Sequence, residues 1–100
     1  MGKNNNASKL GNHETLIDNE RVRVTEWTFN VGQETGFHTH EFDYVVVPIL
    51  NGDLKIVDNN NNISISSLKE GKSYFREKGV SHNVINNNDF QFKFVEIELK

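Results

Sequence analysis

Four histidines carry most of the chemistry this 100-residue sequence can offer: His13, His38, His40 and His82. Only Thr39 separates His38 from His40. On a β-strand, residues two apart face the same side about 6.5–7 Å along the chain, so imidazoles so spaced can converge on one ion. A helical pair would instead need a spacing of three or four. Taken alone, a His-x-His is more often a surface pair than a ligand pair, so its meaning depends on the elements that hold it. His13 lies in a polar segment and reads as solvated. The chain has no cysteine, which excludes disulfides, thiolate catalysis and zinc ligation by sulfur. No Ser-His-Asp spacing, phosphate-cradling glycine pattern or basic-aromatic patch stands in the sequence.

The elements available to position these histidines are strands. Period two dominates from about Glu14 onward, and no window shows a convincing 3.6 period. Strands are expected near residues 14–17, 21–30, 42–50, 54–58, 63–67, 72–76, 81–86 and 91–99. In the second, Val22 and Val24 share one phase while Trp27 and Phe29 take the other, which predicts a bulge or a strand buried on both faces. The last strand slips in the same way, from Phe90, Phe92 and Phe94 into Val95, Ile97 and Leu99. Apolar runs flank Asn51-Gly52, which predicts a hairpin there. Asparagine clusters at residues 4–6, 59–62 and 86–88 read as loop tips. Strands recurring every eight to twelve residues with turns between them predict an all-β sandwich or barrel.

Composition narrows the class further. Hydrophobic residues make up 35% of the chain and aromatic residues 10%, enough for one compact core and a single domain. Phe37, Phe42, Phe75, Phe92, Phe94 and Trp27 are its expected members. A polar arm over residues 1–12 precedes the barrel domain, residues 13–100. Eleven basic residues against fourteen acidic give a net charge of −3, so neither nucleic acid nor an anionic membrane is an expected partner. No apolar stretch approaches the roughly 20 residues of a membrane span, and the polar start lacks a signal-peptide core. A soluble, cytoplasmic protein is expected.

Two segments carry a resemblance. Gly32, five residues, His38-Thr39-His40 and then Gly52 follow the first motif of the cupin superfamily. Gly71, Gly79, His82 and Asn86, at spacings of eight, three and four, follow the second. The chain resembles a small single-domain cupin, and the motifs cover about half of it. The run from His38 through Asp43-Tyr44-Val45-Val46-Val47-Pro48 is similar to small stand-alone bacterial cupins. Some of those are labelled β-alanine-degradation proteins; the pathway is not carried over, because short cupins change substrate readily. Two positions depart from the pattern. Glu77 stands for the proline of the second motif, which alters a turn. The glutamate of the first motif is missing, and its expected places hold Tyr44 or Val45. Strand alternation puts Tyr44 on the histidine face and Asp43 on the other, unless a bulge turns Asp43 inward.

The resemblance implies a double-stranded β-helix, a small jelly-roll barrel, in which His38, His40 and His82 hold one divalent transition metal. Imidazole suits iron, zinc, nickel and copper, and the sequence does not distinguish among these or manganese. A metal-dependent oxygenase, isomerase or lyase acting on a small polar or anionic metabolite follows, with Tyr44 orienting or protonating substrate. Arg76, beside the second motif, would clamp a carboxylate if it points inward. The competing readings are a non-catalytic ligand-binding or accessory module, and a metal-free barrel whose histidines only fill its mouth. Homodimers are expected, with the exposed sheet edges of so small a barrel as the physical motive.

Overall fold

In the computed structural model, which describes residues 9–100, nine strands and no α-helix follow one another. They are β1 (Asn12–Asp18), β2 (Val22–Phe29), β3 (His38–Thr39), β4 (Asp43–Pro48), β5 (Gly52–Asp58), β6 (Ile63–Leu68), β7 (Tyr74–Arg76), β8 (Ser81–Asn86) and β9 (Phe92–Leu99). Every expected strand is present, and β3 is an addition too short for its period to show. The strands form two antiparallel sheets, one ordered β1-β2-β9-β4-β7 and the other β3-β8-β5-β6.

Both sheets turn one phase of alternation inward. Phe29 of β2, Tyr44 and Val46 of β4, and Phe92 and Phe94 of β9 meet Leu54 of β5, Leu68 of β6 and Val84 of β8 in a single buried cluster. Phe29 and Phe94 pack edge to face at 5.6 Å, an arrangement the ring quadrupoles favour. Each fully buried phenylalanine contributes about 1.5–3 kcal/mol by leaving water. Trp27 packs against the cluster, but Phe37 and Phe75 are about half exposed, Phe42 is partly buried, and all three lie outside it. Phe75 is excluded by phase, since its neighbours Tyr74 and Arg76 take the side that pairs with Val46 and Tyr44.

Three further expectations change. Of the two readings of the β2 slip the bulge fails and the two-faced strand holds, because β2 and β9 pair in unbroken register from Val22↔Leu99 to Phe29↔Phe92. Both faces of this sheet simply carry apolar residues, and the register shift sits in β1, between Thr15 and Ile17. The runs flanking Asn51-Gly52 do not form a hairpin, since β4 and β5 belong to different sheets. Here the chain turns a corner, and Gly52 lies so close to the Phe92 ring that a Cβ would come within 2.7 Å of it. Asn86 is no loop tip. It is 3% exposed at the end of β8, and its amide reaches the carbonyls of Phe29, Asn30 and Phe90. The turn over residues 59–62 does close the β5–β6 hairpin, with Asn61 at φ 64°. Asn4, Asn5 and Asn6 lie outside the described residues. Of the expected polar arm, Lys9 and Gly11 are bonded through their backbone to Glu34, and Asn12 already belongs to β1.

Candidate metal centre

His38 opens β3 and is the direct cross-strand partner of His82 in β8. His40 follows β3 and is fixed by its backbone: its N–H donates to the Val80 carbonyl, and its carbonyl accepts from the Gly79 N–H, each at 2.9 Å. Gly79 makes that return possible at φ 95°, a left-handed conformation that side chains disfavour. The result is a convergence of ring nitrogens. His38 Nε2 lies 2.9 Å from His40 Nε2, which lies 3.2 Å from His82 Nε2. All three ligand atoms fall within 4.8 Å of one another.

Protonation is partly dictated by neighbours. His38 Nδ1 stands 2.9 Å from the Gly36 carbonyl oxygen, which can only accept, so Nδ1 carries the proton and Nε2 offers a lone pair to the cluster. Asn83 holds that carbonyl in place by accepting the Gly36 N–H at 3.0 Å. Burial, together with the charge of His38, lowers the pKa of His40 to about 4. Burial and the charges of His38, His40 and Arg76 likewise lower His82 to about 4. Neutral imidazoles turned on one point, one oriented by a backbone carbonyl, are the donor set a divalent transition ion requires.

The cluster borders a cavity of about 400 Å³ whose walls include Trp27, Tyr44, Leu54, Arg76, His82 and Glu96. Tyr44, 2% exposed, stacks on the His40 ring at 3.8 Å and 14°. Burial, helped by Glu96, pushes its phenol pKa up, so it stays a neutral donor. Asp43 is turned elsewhere: its Oδ1 accepts the Lys78 N–H at 2.9 Å and ties the 77–79 turn to β4. Of the two residues that could replace the missing motif glutamate, the structure thus brings only Tyr44 to the histidines. Arg76 lines the cavity, with its guanidinium 4.5 Å from the Tyr74 ring centre. His13 lies apart, against Trp27 at 4.8 Å.

One acidic residue was missed by sequence reasoning. Glu96 Oε2 lies 3.9 Å from His40 Nε2, and burial, then the charge of Glu98, raises its pKa to about 7. Glu98, next on the same face, is instead gripped by Arg23 at 2.6 and 3.3 Å. The signal was the unbroken alternation of β9, which carries the inward phase from Phe92 and Phe94 to both carboxylates.

No family model matches the sequence. The chain is 46% identical over 84 residues to the beta-alanine degradation protein BauB of Pseudomonas aeruginosa, an overlap of 84% of this chain and 87% of that protein. It is 50% identical to a cupin domain from Bordetella pertussis Tohama I, with a TM-score of 0.87 over 91% of this chain and 94% of that one. An RmlC-like cupin with a double-stranded β-helix fold from Methanocaldococcus jannaschii superposes at a TM-score of 0.75 and 18% identity, over 91% and 81% of the two chains. That third likeness concerns the fold alone.

Proposed function

The chain belongs to the cupin superfamily, and on that premise we propose that it is a metal-dependent enzyme acting on a small polar or anionic metabolite. The supporting observation is the three-histidine cluster bordering a substrate-sized cavity. In this reading His38, His40 and His82 hold one divalent transition ion, drawn from iron, zinc, nickel, manganese or copper. Such an ion would supply Lewis-acid or oxygen chemistry to an oxygenase, isomerase or lyase.

The chain's own groups do the rest. Tyr44, fixed by its stack on His40, orients or protonates the substrate through its phenol. Arg76 is the one lysine or arginine among the cavity's lining residues, and it has no carboxylate within ion-pair distance among the described residues. Its guanidinium suits the carboxylate of a small organic acid, a class that includes the β-alanine in the relative's name. Leu54, Ile56 and Val84 exclude water from the substrate's apolar side.

A non-catalytic binding module is the second reading, favoured by Tyr44 in the place of the motif glutamate. Elemental analysis of protein purified without a histidine tag, then oxygen uptake and product analysis against small carboxylates, separates the two. Metal without turnover supports the binding module; no metal even after reconstitution overturns both metal-based readings.

The reading includes a cytoplasmic homodimer. Its support is an apolar row, Ile17–Val24–Ile97–Val45–Phe75, that crosses all five strands of one sheet on its outer face. Ile17 and Phe75 are about half exposed there. Sedimentation of wild type and Phe75→Glu tests this, and a wild-type monomer would refute it.

A further inference from the structure

The first motif has lost its glutamate, yet a carboxylate still reaches the histidines from another strand. β9 lies beside β4, with Glu96 paired to Val46 and Glu98 paired to Tyr44. Position 44, where the motif would place its acid, is filled by a phenol ring stacked on His40. Glu96, two residues along the neighbouring strand, points into the same cavity. Its side chain is 14% exposed, and its Oε2 lies 3.9 Å from Nε2 of His40, the histidine that also touches both others.

The two carboxylates of β9 differ in what holds them. Glu98 is matched by the Arg23 guanidinium through two hydrogen bonds. The Glu96 side chain has no hydrogen bond among the described residues, and His40 is its sole ion-pair neighbour there. A carboxylate in a largely buried residue, its oxygens open to the cavity and not met by a protein donor, is less well solvated than one in bulk water. A positive charge at the histidine cluster would offset that loss, and nothing else in the cavity wall stands within ion-pair reach of it.

We propose that Glu96 is the carboxylate of the metal site, moved from β4 to β9, and that it stabilises a dication held by the histidines. Glu96 does not join the His38–His40–His82 set; its carboxylate instead forms, with His40 and Glu98, a second set of ligand atoms within 4.8 Å of one another. It therefore acts beyond the histidine shell, accepting a hydrogen bond from whatever occupies the ion's open side. This inference rests on the proposed three-histidine metal site. It adds that the site is not charge-neutral, and that an anionic substrate meets an ion whose charge is already partly compensated.

The test uses cobalt(II) alone as the probe, titrated into metal-free wild type, Glu96→Gln and Glu98→Gln. Affinity is read by chelator competition and the ligand field by visible absorption. Glu96→Gln is expected to lose roughly 10- to 100-fold in affinity, the range for groups that support metal ligands, and to shift the cobalt bands. Glu98→Gln is expected to stay within a few fold of wild type. If wild type itself takes up no cobalt, the metal reading fails and the inference fails with it. If wild type binds and Glu96→Gln matches it, or if both variants weaken alike, the metal reading stands and the role of Glu96 is refuted. Glutamine keeps the shape and removes a buried acid, so the variant should fold; a Glu96→Asp protein, which keeps charge but shortens reach, should bind between the two.

Discussion

The two ends of the barrel are built from the same strands and do opposite work. Along the inward phase, β9 runs from Phe92 and Phe94 to Glu96 and Glu98, and β8 runs from Asn86 and Val84 to His82. β4 runs from Pro48 and Val46 to Tyr44. At one end these positions are filled by interlocked rings and by the Asn86 amide, which ties three carbonyls together. At the other they are titratable groups: His82, Tyr44 and Glu96 border the cavity, and Glu98 is paired with Arg23 while Glu96 is not. Stability is thus concentrated where no chemistry is possible. The site is carried by strands whose positions are already set, so it can tolerate unfavourable burial.

The sharpest way to break this contrast is at the packed end. Phe92→Ala should cost about 3–5 kcal/mol of folding stability, by lost transfer energy and a cavity at a 0% exposed site. The folded fraction should keep wild-type metal affinity. Urea unfolding with parallel metal titration checks both halves.

The converse substitution lies at the open end. His82→Ala should weaken metal binding by more than a hundredfold, about 2.7 kcal/mol, while the metal-free protein unfolds at an unchanged or higher temperature. A loss of metal-free stability as large as that of Phe92→Ala would mean that the ends are not energetically separate.

Acidity sharpens the comparison further. His40 and His82 are lowered from 6.5 to about 4, so between these values the unfolded chain binds protons that the folded chain refuses. The histidines' contribution to metal-free stability is therefore fully present above pH 6.5 and is lost as pH drops toward 4. Glu96, raised from 4.5 to about 7, has the opposite sign: its burial costs stability as pH rises through that window. Glu96→Gln should make the acid-side decline steeper. Thermal melts of chelator-treated protein from pH 4 to 8 measure this, and a flat profile would contradict the burial of the histidines.

The smallest effect concerns one hydrogen bond. Tyr44→Phe retains the stack on His40 and should keep the metal, while losing about 0.5–1.5 kcal/mol of substrate binding or turnover. Asp43→Asn, which alters only the tie to Lys78, should leave metal affinity unchanged. Competitive metal titration of the two variants distinguishes them, and a tenfold drop in Asp43→Asn would overturn the assignment.

Strand positions and the histidine spacing were legible because both rest on local periodicity. What stayed hidden depends on pairing between distant segments. The inward turn of Glu96 was masked by the apolar outer phase of β9, Val95, Ile97 and Leu99, which made a regular strand look like one that slips. The corner at Asn51-Gly52 looked like a hairpin because turn chemistry says where a chain bends, and not which sheet it enters next. Asn86 looked like a loop residue because composition cannot show three carbonyls gathered from two other segments. Tyr44 reaches the histidines although β3 and β4 lie in different sheets with a bend at Glu41 and Phe42 between them, so its placement agreed with alternation without resting on a continuous strand.

The position of β9 has a consequence in time as well as in space. It lies at the centre of the five-stranded sheet, between β2 and β4, and the Arg23–Glu98 bond spans 75 residues of sequence. The β5–β6 hairpin can close as soon as its own residues are available. β2 and β4 have no direct ladder to each other, and they wait for the last strand to join them. Such non-local pairing favours folding in milliseconds to seconds rather than microseconds. The same late event delivers Phe92, Phe94 and Glu96 together, so the histidines of β3 and β8 can pair before the wall that β9 supplies is in place.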